Sequence, residues 1–413
     1  MVDTMPGWSS ASSCQKVRDS CRAWMAISSH ADLVQIKPTA IRNLANDILS
    51  RHQQSTSNST FAIEWDEEGW HYLPSPELPP VIAMERLALY IVAMDAINFC
   101  FWPTHSTTTS TTLREKPTST NFEYEHLAMA MATMAKLDED DQLAHPTVLS
   151  PAYIFAPDRL ANMTLVEMNH LWMQHLDQLA KDKNCPPITT LDNMETRCQL
   201  WNEVGSVIKK KWNGNILDFL GIPAPASTAS LLKSNLSAPE LVDRILEYFP
   251  GFRDCCAWSS ESTNDHTDHK YLCLYKRAQI CVGDLNASLK LKLKGLDQVT
   301  TFADYRVPQF LRHAGVLEYE TSLGTAINNG REIPVNSEEE KTIRASTVVA
   351  VEELVQELRS LQQHLHTNGN TSDNTDEPIF TAVSVDWYLW QLGEKMHHEG
   401  ALECHHKTRT TFY

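Results

Sequence analysis

From Met84 onward the apolar residues Leu87, Ala88, Ile91 and Val92 recur at spacings of three and four. That is the stripe of an amphipathic helix, and it limits what the chain can fold into because it reappears along the sequence. In "AVEELVQELRSLQQHL" the same spacing joins Val351, Leu354, Val355, Leu358 and Leu361. In "SAPELVDRILEYF" Ser237 stands three residues before Glu240, the spacing of a capping box, and Leu241, Ile245, Leu246 and Phe249 then share one face. Only "KYLCLY" (270–275) reads as a strand. A mainly α fold with a minor β element is therefore expected. Asp95 falls on the stripe that begins at Met84, so it is either buried with a partner or facing a pocket.

Four stretches interrupt this periodicity: 52–60, 104–121, 259–269 and 366–378. Each is rich in Ser, Thr, Asn or Pro and too poor in apolar residues to repay the entropy of ordering, so they read as polar insertions in one domain spanning 1–413. With 413 residues, 42% of them hydrophobic, the chain can bury a core of that size. A formal net charge of -17 argues against a protein that grips a nucleic-acid backbone, which takes a basic surface. An anionic small molecule would need a local cationic pocket. The start, "MVDTMPGWSSASSCQ", lacks the basic and apolar regions of a secretory signal, and the run "LALYIVAMDAINFCFW" is broken by Asp95 and Asn98. A cytoplasmic or nuclear setting is expected, and the 10 cysteines, with no CxxC pair, fit free thiols.

No GxGxxG, P-loop, GxSxG or HExxH is present, which leaves nucleotide-dependent transfer, α/β-hydrolase and zincin chemistry without support. The candidate for a metal is "MHHEGALECHHKT", with His397, His398, Cys404, His405 and His406; adjacent histidines point different ways and the cysteine has no thiolate mate, so a C-terminal segment tied into the core is preferred and no metal is expected. Lys276 and Arg277 follow the strand as either a solvated pair or a phosphate clamp. "VDWYLWQL" sets Asp386 beside Trp387, with Tyr388 and Trp390 following: an aromatic core helix or a stacking wall for a flat ring. Trp70 and His71 in "DEEGWHYL" are a similar mixture. In "TTFADYRVPQFLR" Asp304 lies between Phe302 and Tyr305, three residues after Thr301, again a capping-box spacing. Asp304 is then a helix cap or an acid held at a helix entrance for chemistry.

Longer blocks carry a resemblance. "VRDSCRA" (17–23), "MDAINFCFWP" (94–103), "YEHLA" (124–128), "FPGFRD" (249–254), "YKRAQICVGDL" (275–285), "TFADYRVPQFLRHAGVLEY" (301–319), "IRASTVVAVEEL" (343–354), "VDWYLWQL" (385–392) and the terminal "HHKTRTTFY" resemble the queuosine salvage protein family, the queuosine 5'-phosphate N-glycosylases. The likeness runs from about Val17 to Tyr413, broken by the polar insertions.

The resemblance implies hydrolysis of the N-glycosidic bond of queuosine 5'-monophosphate to free queuine, by a helical fold similar to the helix-hairpin-helix DNA glycosylases, with no metal and no organic cofactor. It implies that Asp304, in the family's FADY block, is the catalytic acid, and that Phe302, Asp386 and Trp387 contact the base. Relatives can carry an acid where this chain has Gln391, so one base contact would differ in charge. A monomer acting on a free nucleotide is expected. Cleaving a ribosyl C–N bond develops positive charge on the sugar, which a carboxylate beneath it can stabilise, attack, or relieve by activating water. A 7-deazapurine lacks the ring nitrogen that purine hydrolases protonate, so the burden falls on Asp304. Asp386 offers a charged acceptor to the amine of the queuine side chain. Two other classes are a non-catalytic carrier of queuosine nucleosides or tRNA, and a DNA repair glycosylase, against which the acidic charge argues.

Overall fold

The computed structural model describes residues 11–54, 69–102, 122–182, 192–223, 233–258, 270–368 and 380–413. The chain begins with helices α1 (Ser13–Met25), α2 (Ser28–Leu33) and α3 (Pro38–Gln54), with a short strand β1 (Val34–Ile36) between the last two. Helices α4 (Pro80–Ala96), α5 (Tyr124–Lys136), α6 (Glu139–Ala144), α7 (Pro157–Ala161), α8 (Leu165–Asp182), α9 (Met194–Trp212), α10 (Ile216–Phe219) and α11 (Ala238–Tyr248) follow. Strands β2 (Cys255–Trp258) and β3 (Lys270–Cys273) lead to α12 (Lys276–Ser288) and α13 (Arg306–His313). Strand β4 (Leu317–Tyr319), α14 (Thr321–Asn328), α15 (Glu338–Asn368) and α16 (Ala382–His398) complete the order. The protein is mainly α, as its periodicity predicts.

Local chemistry explains where these helices start. Ser237 and Glu240 form the reciprocal capping box at α11, with Pro239 in its first turn. Thr381 and Ser384 do the same at α16. Helix α4 departs from the expected one-sided stripe: from Arg86 to Ala96 every residue is buried, because α5, α9 and α12 all pack on it. Its last carbonyl has no partner within the helix, and two arginines serve it and the carbonyls of the segment that follows. Arg277 donates to the carbonyls of Ala96 and Gly251, while Arg197 donates to those of Ile97, Phe99 (2.7 Å) and Cys100 (3.1 Å).

The strands make two antiparallel pairs, β1 with β4 (Val34 opposite Tyr319) and β2 with β3 (Cys255 opposite Cys273). Three of the four are additional to the strand expected from sequence, which itself closes at Cys273 rather than Tyr275. Of the expected insertions, residues 52–54 close α3 and 366–368 close α15; the remainder, including 104–121 and 259–269, lies outside the described residues.

Apolar side chains gather in two cores. The larger surrounds α4 and takes in α1, α5, α9, α11 and α12. The smaller is formed by α3, α13, α15 and α16. The chain crosses from one to the other within three residues: Tyr305 belongs to the larger and Val307 to the smaller. Asp304 immediately precedes that crossing.

Candidate active site

Residues 300–304 form a loop held by four different helices. Thr300 gives its backbone N–H (2.9 Å) and hydroxyl (3.0 Å) to the Gln279 side chain on α12. The Thr301 hydroxyl and the Phe302 N–H (2.8 Å) both donate to Oδ1 of Asp386 on α16. The Ala303 carbonyl accepts from Arg344 Nε on α15 at 2.9 Å. Asp304 Oδ1 then accepts the N–H groups of Arg306 (2.8 Å) and Val307 (3.1 Å), the first amides of α13. The expected Thr301–Asp304 capping box does not form: the Thr301 hydroxyl is taken by Asp386, the helix starts at Arg306, and Asp304 caps it alone. Its Oδ2 accepts no hydrogen bond among the described residues.

Around Asp304 stand three more buried carboxyls and one amine. Lys276 opens α12 after Tyr275, whose φ of +49° is a left-handed turn fixed by the Asp254 carbonyl accepting the N–H of Leu274 and of Tyr275. Burial lowers the Lys276 pKa; the fields of Asp304, Asp95 and Asp386 oppose this. Burial likewise raises Asp304, opposed first by the Lys276 ammonium and then by the two α13 amides. Asp386 is pushed up to about 8 by burial and next by the charge of Asp304, against the pull of Thr301, Phe302 N–H and Lys276. Asp95 is pushed up to about 7 by burial, and Asp284 rises well above the carboxylate range through burial and the charge of Asp95. The constellation is thus short of positive charge, and its carboxyls compete to stay protonated.

Two rings flank this cluster. Phe302 and Trp387 lie with centroids 6.4 Å apart and planes at 60°. Between them passes Gly283 of α12, where a Cβ would come within 3.2 Å of the Phe302 ring and 3.3 Å of the Trp387 ring. One turn further along α16, Trp390 meets Trp70 (6.5 Å) and Tyr124 (5.6 Å) edge-on, and His71 Nε2 is 2.9 Å from the Tyr124 hydroxyl. Trp70 and His71 therefore adjoin the α16 wall; Gln391 is half-buried beside it.

The fold brings Phe302, Asp304, Asp386, Trp387 and Lys276 together and sends Arg277 elsewhere. Lys276 and Arg277 are not a solvated pair, since both are buried. Both terminal nitrogens of Arg277 are engaged by carbonyls, and its guanidinium lies over Phe99 and Phe252. Adjacent helical residues point about 100° apart, so one side chain reaches the carboxyls and the other the end of α4.

The histidine-rich C-terminal segment spreads out. His397 faces Glu123 (3.8 Å) and His398 faces Glu125 (3.7 Å), while the Cys404 thiol lies 3.7 Å from the Asn328 carbonyl. His405 packs against Tyr305 and Trp102, and His406 is buried beside Tyr413. The segment is tied into the core: the Tyr413 carbonyl accepts from Cys100 N–H at 2.9 Å. Glu123, Glu125 and His398 have ligand atoms within 4.8 Å of one another and could hold a cation, away from the carboxyl cluster. Asp284 and Gly283 were not singled out from sequence. Gly283 stands seven residues after Lys276 and so shares its face of α12, whereas Asp284 stands seven after Arg277, about 100° round the helix, and is drawn into the cluster only by the packing.

A family model for the queuosine salvage protein matches residues 78–413. The chain belongs to that family. The queuosine salvage match opens just before α4 and so includes Asp95, Lys276, Asp284, Asp304 and Asp386. The chain is 32% identical over 397 residues to a queuosine 5'-phosphate N-glycosylase/hydrolase of Dictyostelium discoideum, covering 95% of this chain and 97% of the relative. A protein of the same description from Sphaerobacter thermophilus is 30% identical over 334 residues, 80% of this chain and 82% of its own. One from Mus musculus is 25% identical over 356 residues, 85% and 89% of the two chains. No helix among the described residues is long and apolar enough to cross a membrane.

Proposed function

We propose that the protein hydrolyses the N-glycosidic bond of queuosine 5'-monophosphate, releasing queuine and ribose 5-phosphate, with Asp304 as the catalytic carboxylate. The observation that carries this reading is the seat of Asp304: one oxygen is fixed by two helix amides and the other takes no bond from the described residues. Such a carboxylate is positioned without being neutralised, so it can face a sugar carbon that turns cationic. The two amides and the Lys276 ammonium oppose the burial that would otherwise protonate it. In this scheme Lys276 serves as counter-charge to the acids rather than as a phosphate clamp. Phe302 and Trp387 offer faces to the deazaguanine ring, and Asp386 offers its uncommitted oxygen to the base. Trp70, His71 and Gln391 extend the same wall. On family resemblance alone the architecture is assigned to the helix-hairpin-helix DNA glycosylase type, as one domain acting without a metal or organic cofactor.

The test is chromatography of free queuine after incubation with queuosine 5'-monophosphate. Asp304→Asn, which keeps a cap oxygen, should fold as the parent does and lose about 10²–10³-fold or more in turnover. Release at the parental rate by this variant removes Asp304 from the reaction. Stoichiometric binding by the parent with no product identifies a carrier instead.

A further inference from the structure

Of the four buried acids, three have hydrogen-bond donors. Asp304 has the α13 amides, Asp386 has Thr301 and Phe302 N–H, and Asp95 Oδ1 accepts from Asn98 at 3.3 Å. Asp284 is 4% exposed, and its carboxyl has neither a hydrogen bond nor an ion pair among the described residues. Its oxygens thus remain open to a ligand that brings a donor, unlike Oδ2 of Asp95, which is fully buried with no partner among the described residues. Its neighbours repel it: Asp95 and Asp386 both act on it with like charge, and Lys276 is the opposing cation. With Lys276 as the amine among four acids, a cationic ligand is the partner that would let Asp284 ionise.

Position says where that group sits. Asp284 directly follows Gly283, the residue whose missing side chain leaves room beside the Phe302 and Trp387 rings. Asp284 stands close enough to Asp386 and Lys276 to feel both charges, so the two acids border one space next to these rings. Asp386 has already given Oδ1 to the 301–302 backbone and hydroxyl, which leaves one oxygen. A secondary ammonium carries two N–H donors and therefore takes two acceptors.

We infer that Asp284 is a specificity-determining residue, which with Asp386 receives the aminomethyl ammonium on the 7-position of the base. This rests on the function proposed above, and it adds that selection is by charge: a 7-deazaguanine bearing a cationic arm is accepted and a neutral one is not. Binding the ammonium lets Asp284 and Asp386 release their protons to solvent and accept two charge-assisted hydrogen bonds.

The test uses two free bases of the same size class, 7-aminomethyl-7-deazaguanine and 7-cyano-7-deazaguanine, titrated calorimetrically into the full chain. The parent should bind the amine about 30-fold or more tightly than the nitrile, and Asp284→Asn should bring the two within about 3-fold of each other by weakening the amine alone. Loss of affinity for both bases by equal factors would make Asp284 a general structural or catalytic acid and overturn the assignment. So would retained selectivity in the variant, or a parent that does not distinguish the bases. If Asp284→Asn does not fold, Asp284→Ser, which removes the charge with less bulk, is titrated in its place with the same criteria. Queuine release is assayed separately: a parent that selects the amine but releases no base refutes the hydrolase and leaves the role of Asp284 intact.

Discussion

Asp386 fixes the 301–302 backbone with one oxygen and faces the acid cluster with the other, so its protonation is tied to the stability of the site. An ordinary aspartate ionises near pH ~4. In the folded protein the proton is held up to about 8, because burial and the charge of Asp304 outweigh the donors on Oδ1. The folded state therefore binds a proton that the unfolded chain has released. The stability this contributes is full below the unfolded value and is lost as pH rises through about 8. Asp386→Asn keeps an acceptor for Thr301 and Phe302 N–H but cannot ionise. Its melting temperature should fall less between pH ~5 and about 8 than that of the parent. Equal slopes in thermal melts across that range would show that Asp386 is ionised throughout.

Helix α12 is the element that shapes the site, carrying Lys276 at its start, Gln279 against Thr300, Gly283 against the rings, and Asp284 within the field of Lys276 and Asp386. Alanine is the better helix former than glycine by about 1 kcal/mol, yet at position 283 its methyl would crowd two aromatic rings, at about 1–3 kcal/mol for overpacking. Gly283→Ala should thus change stability by no more than about 2 kcal/mol, the larger cost less the propensity gain, in a urea melt. The rings have to shift by a few tenths of an ångström, so queuine release should drop about 10-fold or more. Parental release would place the reacting base away from Phe302 and Trp387. The helix itself was only partly legible. Its residue types were visible in "YKRAQICVGDL", but its amphipathic stripe is blurred because it is buried on nearly all sides. Helices α11 and α15 were legible because one side of each meets solvent and the capping and spacing signals survive. Strands of three or four residues, such as β1, β2 and β4, are too short for a period of two to register.

Across the whole molecule, Arg344 links parts that are distant in sequence. It pairs with Asp254 at 2.5 Å and with Glu340 at 3.2 Å, donates to the Ala303 carbonyl, and lies over the Tyr413 ring. It thereby joins the start of β2, helix α15, the loop before Asp304 and the C-terminus where the two cores meet. Arg344→Ala leaves buried Asp254 and Glu340 without their cation and should cost about 3–5 kcal/mol in urea denaturation. A loss under about 1 kcal/mol would mean that the acids are satisfied by protonation instead. The sequence by itself determined the mainly helical class, the capping box of α11 and the family blocks, because each depends on residues within a few turns of one another. Only the tertiary structure decided that Thr301 serves Asp386, that Arg277 closes α4 while Lys276 turns to the acids, and that Asp284 is left without a donor. Those outcomes depend on which helix each side chain meets, and burial and electrostatic field are properties of the packed assembly rather than of any local stretch of chain.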